Sequence, residues 1–238
     1  MEKPSLKKRA LGLVREVAMV MVGILLALQV NNWAVQSKER KEERRLLINF
    51  EKNLELDIAQ IDSIIAGTAQ SIVNVDSIID IINAPTTANF DQFIALQPSL
   101  LFNYYFYTND GAYWEASSTG KIELFENLEM RKSIFEYYRL AGTTTIDDEV
   151  FTTNTQFNAP YWIELVGTTR PMIMDHIGKD VPSAPQLDIA ALAGNKKYLS
   201  VLFSVKAGGG IQIKAWRQRR KAAAALKTVI SQELKRWN

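Results

Sequence analysis

The sequence contains no cysteine and only one histidine among its 238 residues. Without cysteine the chain cannot form a disulfide framework, a thiolate zinc site, an iron–sulfur cluster or a cysteine nucleophile. A single histidine also excludes a histidine-rich metal site. That residue, His176, lies in a stretch rich in Pro and Gly, where an ordinary loop residue is the simplest interpretation. We predict no catalytic, cofactor-binding or metal-binding residues, and no cofactor.

The chain also lacks a strong net charge, since 28 Lys and Arg stand against 26 Asp and Glu. A net charge of +2 argues against a general polyanion binder, so no nucleic-acid partner is expected. An apolar content of 47% is too high for a disordered chain and suffices for a hydrophobic core. The overall balance hides a segregation of charge along the chain, described below.

A long uncharged run lies near the N-terminus. Residues 17–37 contain 21 residues without a charge, about 31 Å of α-helix, which matches a hydrocarbon core of about 30 Å. We predict a transmembrane helix over 17–37 after a basic tail (1–16), with Arg15 and Trp33 as interface anchors. A cleaved signal peptide and a buried helix are the alternatives; the first lacks small residues at a cleavage site, and basic residues at both ends oppose the second.

Small residues form a stripe on this predicted membrane helix. On a helical wheel Gly23, Ala27 and Ala34 fall within about 40° of one another, and Glu16 lies on the same face. Such stripes allow helix backbones to approach closely, and ionisable groups near hydrocarbon usually face protein or water. The stripe predicts contact with a partner helix. The alternative is that Glu16 lies at the headgroup level beside Arg15 and that Gly and Ala are common in membrane helices.

The orientation in the membrane rests on a weak asymmetry. Five Lys and Arg precede the predicted membrane helix and five follow it in residues 36–45, so the positive-inside count is tied. A short charged tail is hard to translocate, whereas long domains cross largely regardless of charge. We therefore expect the N-terminus in the cytoplasm and the C-terminal domain in the periplasm or another extracytoplasmic space, with the chain in a bacterial inner membrane.

Residues 38–238 read as one helical bundle domain that begins with a charged helical neck (38–45). Apolar residues then recur every seven positions, which is typical of a bundle helix; they are Leu47, Leu54, Ile61, Thr68, Val75 and Ile82. The stripe stops before Pro85. The fold class predicted is mainly α, with one N-terminal transmembrane helix that continues into an elongated helical bundle.

After Pro85, turn and cap residues predict shorter helices. Turn and cap residues favour helices ending at Leu96, over 111–118 and over 122–140. A further helix is predicted to start after the threonines of 143–145 and to run to Val166, with a kink or interruption at Pro160. The C-terminal part is predicted as two helices, one from Asn195 through Phe203 and one over 211–237. Between them, Gly208-Gly209-Gly210 indicates a break, a bulge or a close backbone contact. A phosphate-binding loop is disfavoured, because no Lys-Ser/Thr follows the glycines.

Charge and aromatic residues are concentrated in segments. Residues 53–120 contain eight acids and no Lys or Arg, whereas residues 194–238 contain eleven Lys and Arg and one acid, Glu233. Packing of these segments against each other, or docking of an acidic partner on the basic face, is preferred to nucleic-acid binding; that face comprises Lys214, Arg217, Arg220 and Lys221. Seventeen of 23 aromatic residues lie between Phe90 and Trp162, where core filling is preferred to a ligand pocket. The acids of residues 147–149 are best explained by helix capping.

Two segments resemble an uncharacterised family of bacterial single-pass membrane proteins. Its members open with Gly-Glu-Ile, then Gly-Ile-Leu-Ile-Ala-Leu, then Asn-Asn-Trp, and this chain has Glu16-Val17, Gly23-Ile24-Leu25-Leu26-Ala27-Leu28 and Asn31-Asn32-Trp33. Residues 113–124, with Asn127, Arg131, Ile134 and Tyr137-Tyr138, are similar to a second family segment. Arg15 departs from the usual Gly, and Trp114-Glu115-Ala116 from an expected Glu-Leu pair. The resemblance implies an anchored helical domain of unknown function and supplies no catalytic residues.

Three functions remain open from the sequence. The first is a non-enzymatic accessory or scaffolding subunit of a larger membrane protein complex, which contacts lipid and partner subunits and is able to form homo-oligomers. The second is an extracytoplasmic ligand-sensing domain, favoured by the aromatic concentration but lacking a visible output domain. The third is an enzyme that uses carboxylates, since such enzymes often show no recognisable spacing.

Overall fold

A computed structural model describes residues 6–101, 104–141, 146–167, 174, 178 and 187–236. Every regular element in this part of the chain is helical, which confirms the predicted fold class. The α-helices are α1 (Leu6–Asn83), α2 (Phe90–Leu96), α3 (Gly111–Ser118), α4 (Leu128–Ala141), α5 (Ile146–Thr153), α6 (Ala159–Trp162), α7 (Ile189–Leu192) and α8 (Lys196–Lys235). Short 3₁₀ turns flank α2 and precede α4, and π-helical turns lie on both sides of α6.

Helix α1 is a single element of 78 residues, about 117 Å long. It contains the candidate membrane segment (17–37), the charged neck and the Ile-rich segment without interruption. No helix-breaking residue occurs between them, and the neck has charges of both signs spaced to support a solvated helix. Among the described residues this is the one helix long and apolar enough to cross a membrane, and its apolar window is fully exposed.

The predicted seven-residue pattern on α1 is confirmed by burial. All six heptad residues, from Leu47 to Ile82, are buried, as are Phe50, Ile64 and Ile78. A seven-residue repeat lags an ideal α-helix by about 20° per heptad, so the buried stripe winds slowly around α1. The partner that covers this stripe is α8, which makes the most extensive contact with α1.

The two long helices run antiparallel in a constant register. Polar contacts along one flank join Ser231 to Glu51, Lys227 to Glu55, Arg220 to Asp62 and Lys206 to Asp76. From one contact to the next, the residue number on α1 rises by four, seven and fourteen. The residue number on α8 falls by the same steps. Seven-residue spacing on both helices places all of these contacts on the same side of the pair, as flanking charges lie in coiled coils.

The three glycines lie inside α8 and do not interrupt it, so the prediction of two C-terminal helices is wrong and the close-contact alternative is right. Gly209 is buried, and a Cβ built on it would lie 3.2 Å from Ile72 and 3.3 Å from Thr68. Thr68 is also the smallest of the heptad residues. Small side chains on both helices therefore permit a close backbone approach at this level, which offsets the cost of glycine in a helix.

The chain between α1 and α8 covers one side of this pair in three layers. A basal cluster joins the α1 segment from Leu46 to Leu54 with α3, α4 and the end of α8. A distal cluster joins the last turns of α1 with α2, Trp162, α7 and the start of α8. Between them, Ile61, Ile64 and Trp216 are covered by Tyr104 and Phe106. The domain is elongated because these layers follow one another along the two long helices.

The shorter helices match the sequence unevenly. Helix α3 has the predicted bounds, and Gly120 at its end has a positive φ of 70°. The predicted helix over 122–140 is wrong at its start: a 3₁₀ turn over Lys121–Leu124 is followed by Phe125, which turns into the basal core, and Asn127 then caps α4. The 146–166 region stays helical, with π-helical turns flanking Pro160. Most of the irregular stretch predicted over 167–194, including His176, lies outside the described residues.

An extended strap (residues 104–110) ties the layers to α1. The Tyr104 ring lies against Gly67, where it leaves no room for a Cβ. The Tyr107 N–H donates to Gln60 Oε1 at 3.1 Å, and the Asn109 N–H donates to Asp57 Oδ1 at 2.8 Å. Five extended residues span about 17 Å and the ten facing helical residues span about 15 Å, so the strap runs alongside α1 in the opposite direction.

Asp57 is the polar anchor of this strap. Its carboxylate is completely buried. Oδ1 accepts from both the backbone N–H and Nδ2 of Asn109, and Oδ2 accepts from the Tyr137 hydroxyl at 2.7 Å. Burial, followed by the charge of Asp57 and this hydrogen bond, raises the pKa of Tyr137 well above its usual range. One carboxylate therefore joins α1, the strap and α4.

Substitutions at two adjacent glycines test the close approach of α1 and α8. Gly209→Leu should destabilise the fold by about 1–3 kcal/mol, because the side chain enters a filled interface. Gly210→Ala should stabilise it by about 0.5–1 kcal/mol, since a Cβ there meets open space and alanine favours helix. Thermal unfolding of the full chain in detergent measures both effects. Equal changes at the two positions would contradict the close contact at Gly209.

A second pair of variants compares two acids on α1. Asp57→Ala should cost about 3 kcal/mol, because it leaves buried donors on Asn109 and Tyr137 without an acceptor. Asp62→Ala should cost less than about 1 kcal/mol, since its ion pair with Arg220 is exposed. The same unfolding measurement applies. A loss at Asp57 no larger than the loss at Asp62 would show that the buried carboxylate does not anchor the strap.

Candidate functional site

The predicted membrane contact residues lie on the side of α1 that faces away from the domain. Glu16, Gly23, Ala27 and Ala34 are exposed, as are the predicted anchors Arg15 and Trp33. On a wheel of about 100° per residue, the small-residue stripe points roughly opposite to Leu47, Phe50 and Leu54, which face the basal core. The domain therefore leaves the stripe open to another helix.

The predicted basic face on α8 divides into two parts. Arg220 pairs with Asp62, with Nη2 2.9 Å from Oδ2, so this residue neutralises an acid of the same chain. Lys206 and Lys227 pair with acids of α1 in the same way. These pairs are the predicted intramolecular packing of acidic and basic segments. Lys214, Arg217 and Lys221 are exposed, and make no ion pair within the described part of the chain.

Ten of the fifteen aromatic residues whose burial is described in this region are buried or pack against the core, which agrees with the preference from the sequence. Phe93, Phe125, Tyr137, Tyr138 and Trp162 are buried. In the distal cluster the buried Gln97 side chain accepts from Trp162 Nε1 at 3.2 Å and from the Tyr198 hydroxyl at 2.9 Å. Tyr107, Trp114 and Phe157 remain largely exposed. The aromatic concentration therefore reflects packing more than a single aromatic-lined pocket.

A cavity of about 220 Å³ lies beside the glycines of α8, between the middle and distal layers. Its floor is formed by small residues of both long helices, and its walls by Tyr104, the 3₁₀ turn after α2 and the α5 region. The lining is mainly hydroxyl, amide and aliphatic; it comprises Thr68, Ser71, Ser99, Leu100, Tyr104, Glu149, Val150, Thr153, Asn154, Ser204, Val205, Gly208, Gly209, Ile211 and Gln212. The cavity exists because the residues at this level are too small to fill it.

Two features of this cavity suit a small polar ligand. The Thr68 hydroxyl is buried and has no hydrogen-bond partner among the described residues, although buried polar groups are normally paired. Glu149 is the sole charged residue among the described residues of the lining. A neutral or cationic molecule with hydrogen-bonding groups is therefore the chemistry that this site would accept.

The neck joins the domain through a cluster of ion pairs. Glu42 pairs with Arg45 at 2.8 Å and with Lys121 at 2.6 Å, and Arg45 also pairs with Glu115 on α3. The hydrogen bonds from Arg45 and Lys121 lower the pKa of Glu42 to about 2. Arg45, held by both acids, has its pKa raised. This network fixes α3 and the following turn against the base of α1.

A second cavity, of about 430 Å³, lies one turn away, between the neck and the base of the domain. This neck cavity is lined by Gln36, Glu39, Arg40, Glu43, Glu123, Leu124 and Glu126. Glu43 is 7% exposed and forms no hydrogen bond or ion pair within the described residues. Burial, and then the nearby charges of Glu126 and Glu233, raise its pKa to about 7, while Arg40 opposes the shift.

Neither cavity was predicted from the sequence. From the sequence, Glu43 is interpreted as one of the charged residues of a solvated neck, because the residues that bury it lie far along the chain. Thr68 did carry a signal, since a hydroxyl at a heptad core position departs from the Leu, Ile and Val around it. Among the described residues no group of three acids or histidines is arranged to hold a metal ion.

No curated protein and no solved structure shows a significant match to the chain. The sequence model of a family of unknown function, DUF6090, matches residues 16–156, which is more than half of the chain. The match includes the stripe on α1, the neck, the strap and α4. It also includes both segments that carried the resemblance noted from the sequence. The chain therefore belongs to the DUF6090 family of unknown function.

Proposed function

We propose that this protein is a non-enzymatic accessory or scaffolding subunit of a larger membrane protein complex. In this proposal residues 17–37 cross a bacterial inner membrane once, with the N-terminus in the cytoplasm and the domain outside. The observation that carries it is the exposed stripe of Gly23, Ala27 and Ala34 on the face of α1 that the domain does not use. A partner helix packed there would approach the backbone closely and would shield Glu16 from lipid.

The continuity of α1 supports a scaffolding role. A partner bound at the stripe would be held in a defined position relative to the domain, because no hinge separates the two parts of the helix. The exposed basic residues Lys214, Arg217 and Lys221 offer a second contact to an acidic partner surface. Partner subunits and lipid are thus the proposed binding partners, and a second copy of the chain is one form that a partner could take.

Cross-linking from single cysteines tests the stripe, since the chain has no native cysteine. Ala27→Cys, treated with a cysteine-directed cross-linker in native membranes, should give a discrete adduct with one partner or with a second copy. Leu25→Cys is the matched control, because it lies at the same depth on the opposite face and should give no discrete adduct. The adduct is identified by mass spectrometry after copurification in mild detergent.

Equal labelling from both positions, or a lone monomer from both variants, would contradict partner binding through the stripe. Association that survives Lys214→Gln, Arg217→Gln and Lys221→Gln together at unchanged strength and salt dependence would remove the basic face from the proposal. The stripe would not be affected by that result.

A second candidate function, ligand sensing outside the cytoplasm, is favoured by the cavity beside Thr68. Its volume of about 220 Å³ and its unpaired buried hydroxyl suit a small polar molecule. Sensing would require that binding alter the contact between α1 and α8, because both helices form the floor. This function ranks below the first, since nothing in the described domain resembles an output module.

Filling the cavity tests this second candidate. Gly208 lines the cavity and a Cβ there meets no atom within 4 Å, so Gly208→Leu should occupy the space without displacing neighbours. If a ligand copurifies, native mass spectrometry of the wild-type protein should show a bound mass that Gly208→Leu abolishes. Gly210→Leu, an exposed position on the same turn, should retain it. An adduct present in all three proteins, or in none, would rule out this cavity as the sensor site.

A further inference from the structure

The neck cavity begins at the level where the headgroups of a bilayer would be, and it extends above that level to Glu43. Residues 17–37 fill a hydrocarbon core, and headgroups extend about 5–7 Å beyond it. The cavity is lined by α1 from Gln36 to Glu43, which spans the level from Ser37 to about 9 Å above it. Its other wall is the base of the domain, at Glu123, Leu124 and Glu126. The opening is therefore an overhang between the neck and the membrane-facing side of the domain.

Some charged residues in and beside this cavity form ion pairs within the chain, and others do not. Glu123 is paired with Arg131, and Glu233 nearby is paired with Arg236. Glu39, Glu43 and Glu126 have no ion pair within the described residues, and neither has Arg40. Three carboxylates and one guanidinium without partners would suit a group that carries both a cation and an anion. Of these four residues Glu43 is buried, and Glu39, Glu126 and Arg40 are exposed.

We propose that the neck cavity binds a zwitterionic lipid headgroup with a primary ammonium, which pairs with Glu43 on the acidic side of the cavity while Arg40 binds the adjoining phosphate. A primary ammonium donates three hydrogen bonds to carboxylate oxygens, whereas a quaternary ammonium donates none and requires aromatic faces. The described residues that line the cavity include no aromatic side chain. Phosphatidylethanolamine therefore fits the site and phosphatidylcholine does not, and phosphatidylglycerol has no ammonium group to pair with the carboxylates.

A basic side chain of a partner protein is the competing occupant, and the structure favours it less. A lone guanidinium would satisfy the carboxylates but would be repelled by Arg40, and it would leave that residue without an anion. The lipid headgroup pairs its ammonium with the carboxylates and its phosphate with Arg40. The proposal rests on insertion of α1 in a bilayer but requires no partner subunit. The lipid test can therefore fail while the cross-linking test succeeds, and the cross-linking test can fail while the lipid test succeeds.

The test is thermal unfolding of the full chain in detergent with short-chain phosphatidylethanolamine, phosphatidylcholine or phosphatidylglycerol. Phosphatidylethanolamine well above its dissociation constant should raise Tm by about 3 °C or more, and the other two lipids should not. Glu43→Gln keeps the side-chain shape, removes a buried charge and should abolish the shift. Glu129→Gln, an exposed acid of α4 outside the cavity lining, should retain it.

The pH dependence of the shift gives a second measurement. An alkylammonium stays protonated between pH 6 and pH 8, whereas the pKa of Glu43 is raised to about 7 in the folded protein. The charged groups that act on Glu43 are Glu126 before α4, Glu233 on α8 and Arg40 on the neck, and Glu39 and Glu123 share the cavity lining with it. Because the ammonium binds the ionised carboxylate, the Tm shift should be larger at pH 8 than at pH 6. In Glu43→Gln this difference should vanish.

Lipid-free protein supplies the control for folding. A raised pKa means that ionised Glu43 destabilises the fold, and this cost appears as pH rises from about 4.5 to about 7. Glu43→Gln should thus melt higher than wild type at pH 8 and equally at pH 4.5. Three results would overturn the proposal: an equal shift with phosphatidylcholine, an undiminished shift in Glu43→Gln, or a shift with arginine amide but none with phosphatidylethanolamine.

Discussion

The antiparallel contact between α1 and α8 is the constraint on which the rest of the domain depends. It spans all three layers and keeps one register from Glu51 with Ser231 to Asp76 with Lys206. The intervening chain contributes short helices and a strap, none of which is long enough to be stable in water alone. Each is placed by apolar contact with the long pair, and the strap by hydrogen bonds to Asp57 and Gln60.

This pairing also explains why a chain of almost zero net charge has such uneven segments. The acid-only stretch forms most of the outer half of α1, and the basic stretch forms α8. Their charges meet along one flank, where individual exposed pairs contribute less than about 1 kcal/mol each. Their greater effect is on specificity, because a shifted or parallel arrangement would bring some of these charges out of register. The positive charges that this pairing leaves exposed without an acid of the described chain belong to Lys214, Arg217 and Lys221.

Local patterns in the sequence predicted the elements whose structure is decided locally. The heptad residues of α1 all reached the core, and Asp110 and Gly120 delimited α3 correctly. Gly208-Gly209-Gly210 was partly misjudged, because propensity disfavours helix there while the approach of Thr68 and Ile72 selects it. Phe125 likewise left its predicted helix to enter the basal core. These outcomes depend on contacts between distant residues, which spacing along the chain does not reveal.

The same limit separates the two kinds of candidate site. The small-residue stripe lies on one helix, so its alignment follows from helical geometry and could be predicted. Glu43 owes its properties to residues from the turn before α4 and from the end of α8, so only the folded chain identifies it. The absence of cysteine and the single histidine excluded thiolate and histidine-rich sites, but they did not locate either cavity.

The unbroken α1 gives the molecule a fixed height. About 57 Å of helix stands between Ser37 and Val75, where the distal cluster begins, so this cluster is held that far from any bilayer that contains residues 17–37. The basal cluster begins only about 14 Å above the same level, at Leu46. Because membrane segment and domain share one rod, a rotation of the segment about its own axis turns the distal cluster with it. Movement within the bilayer thereby reaches the far end of the domain without any change in its internal packing.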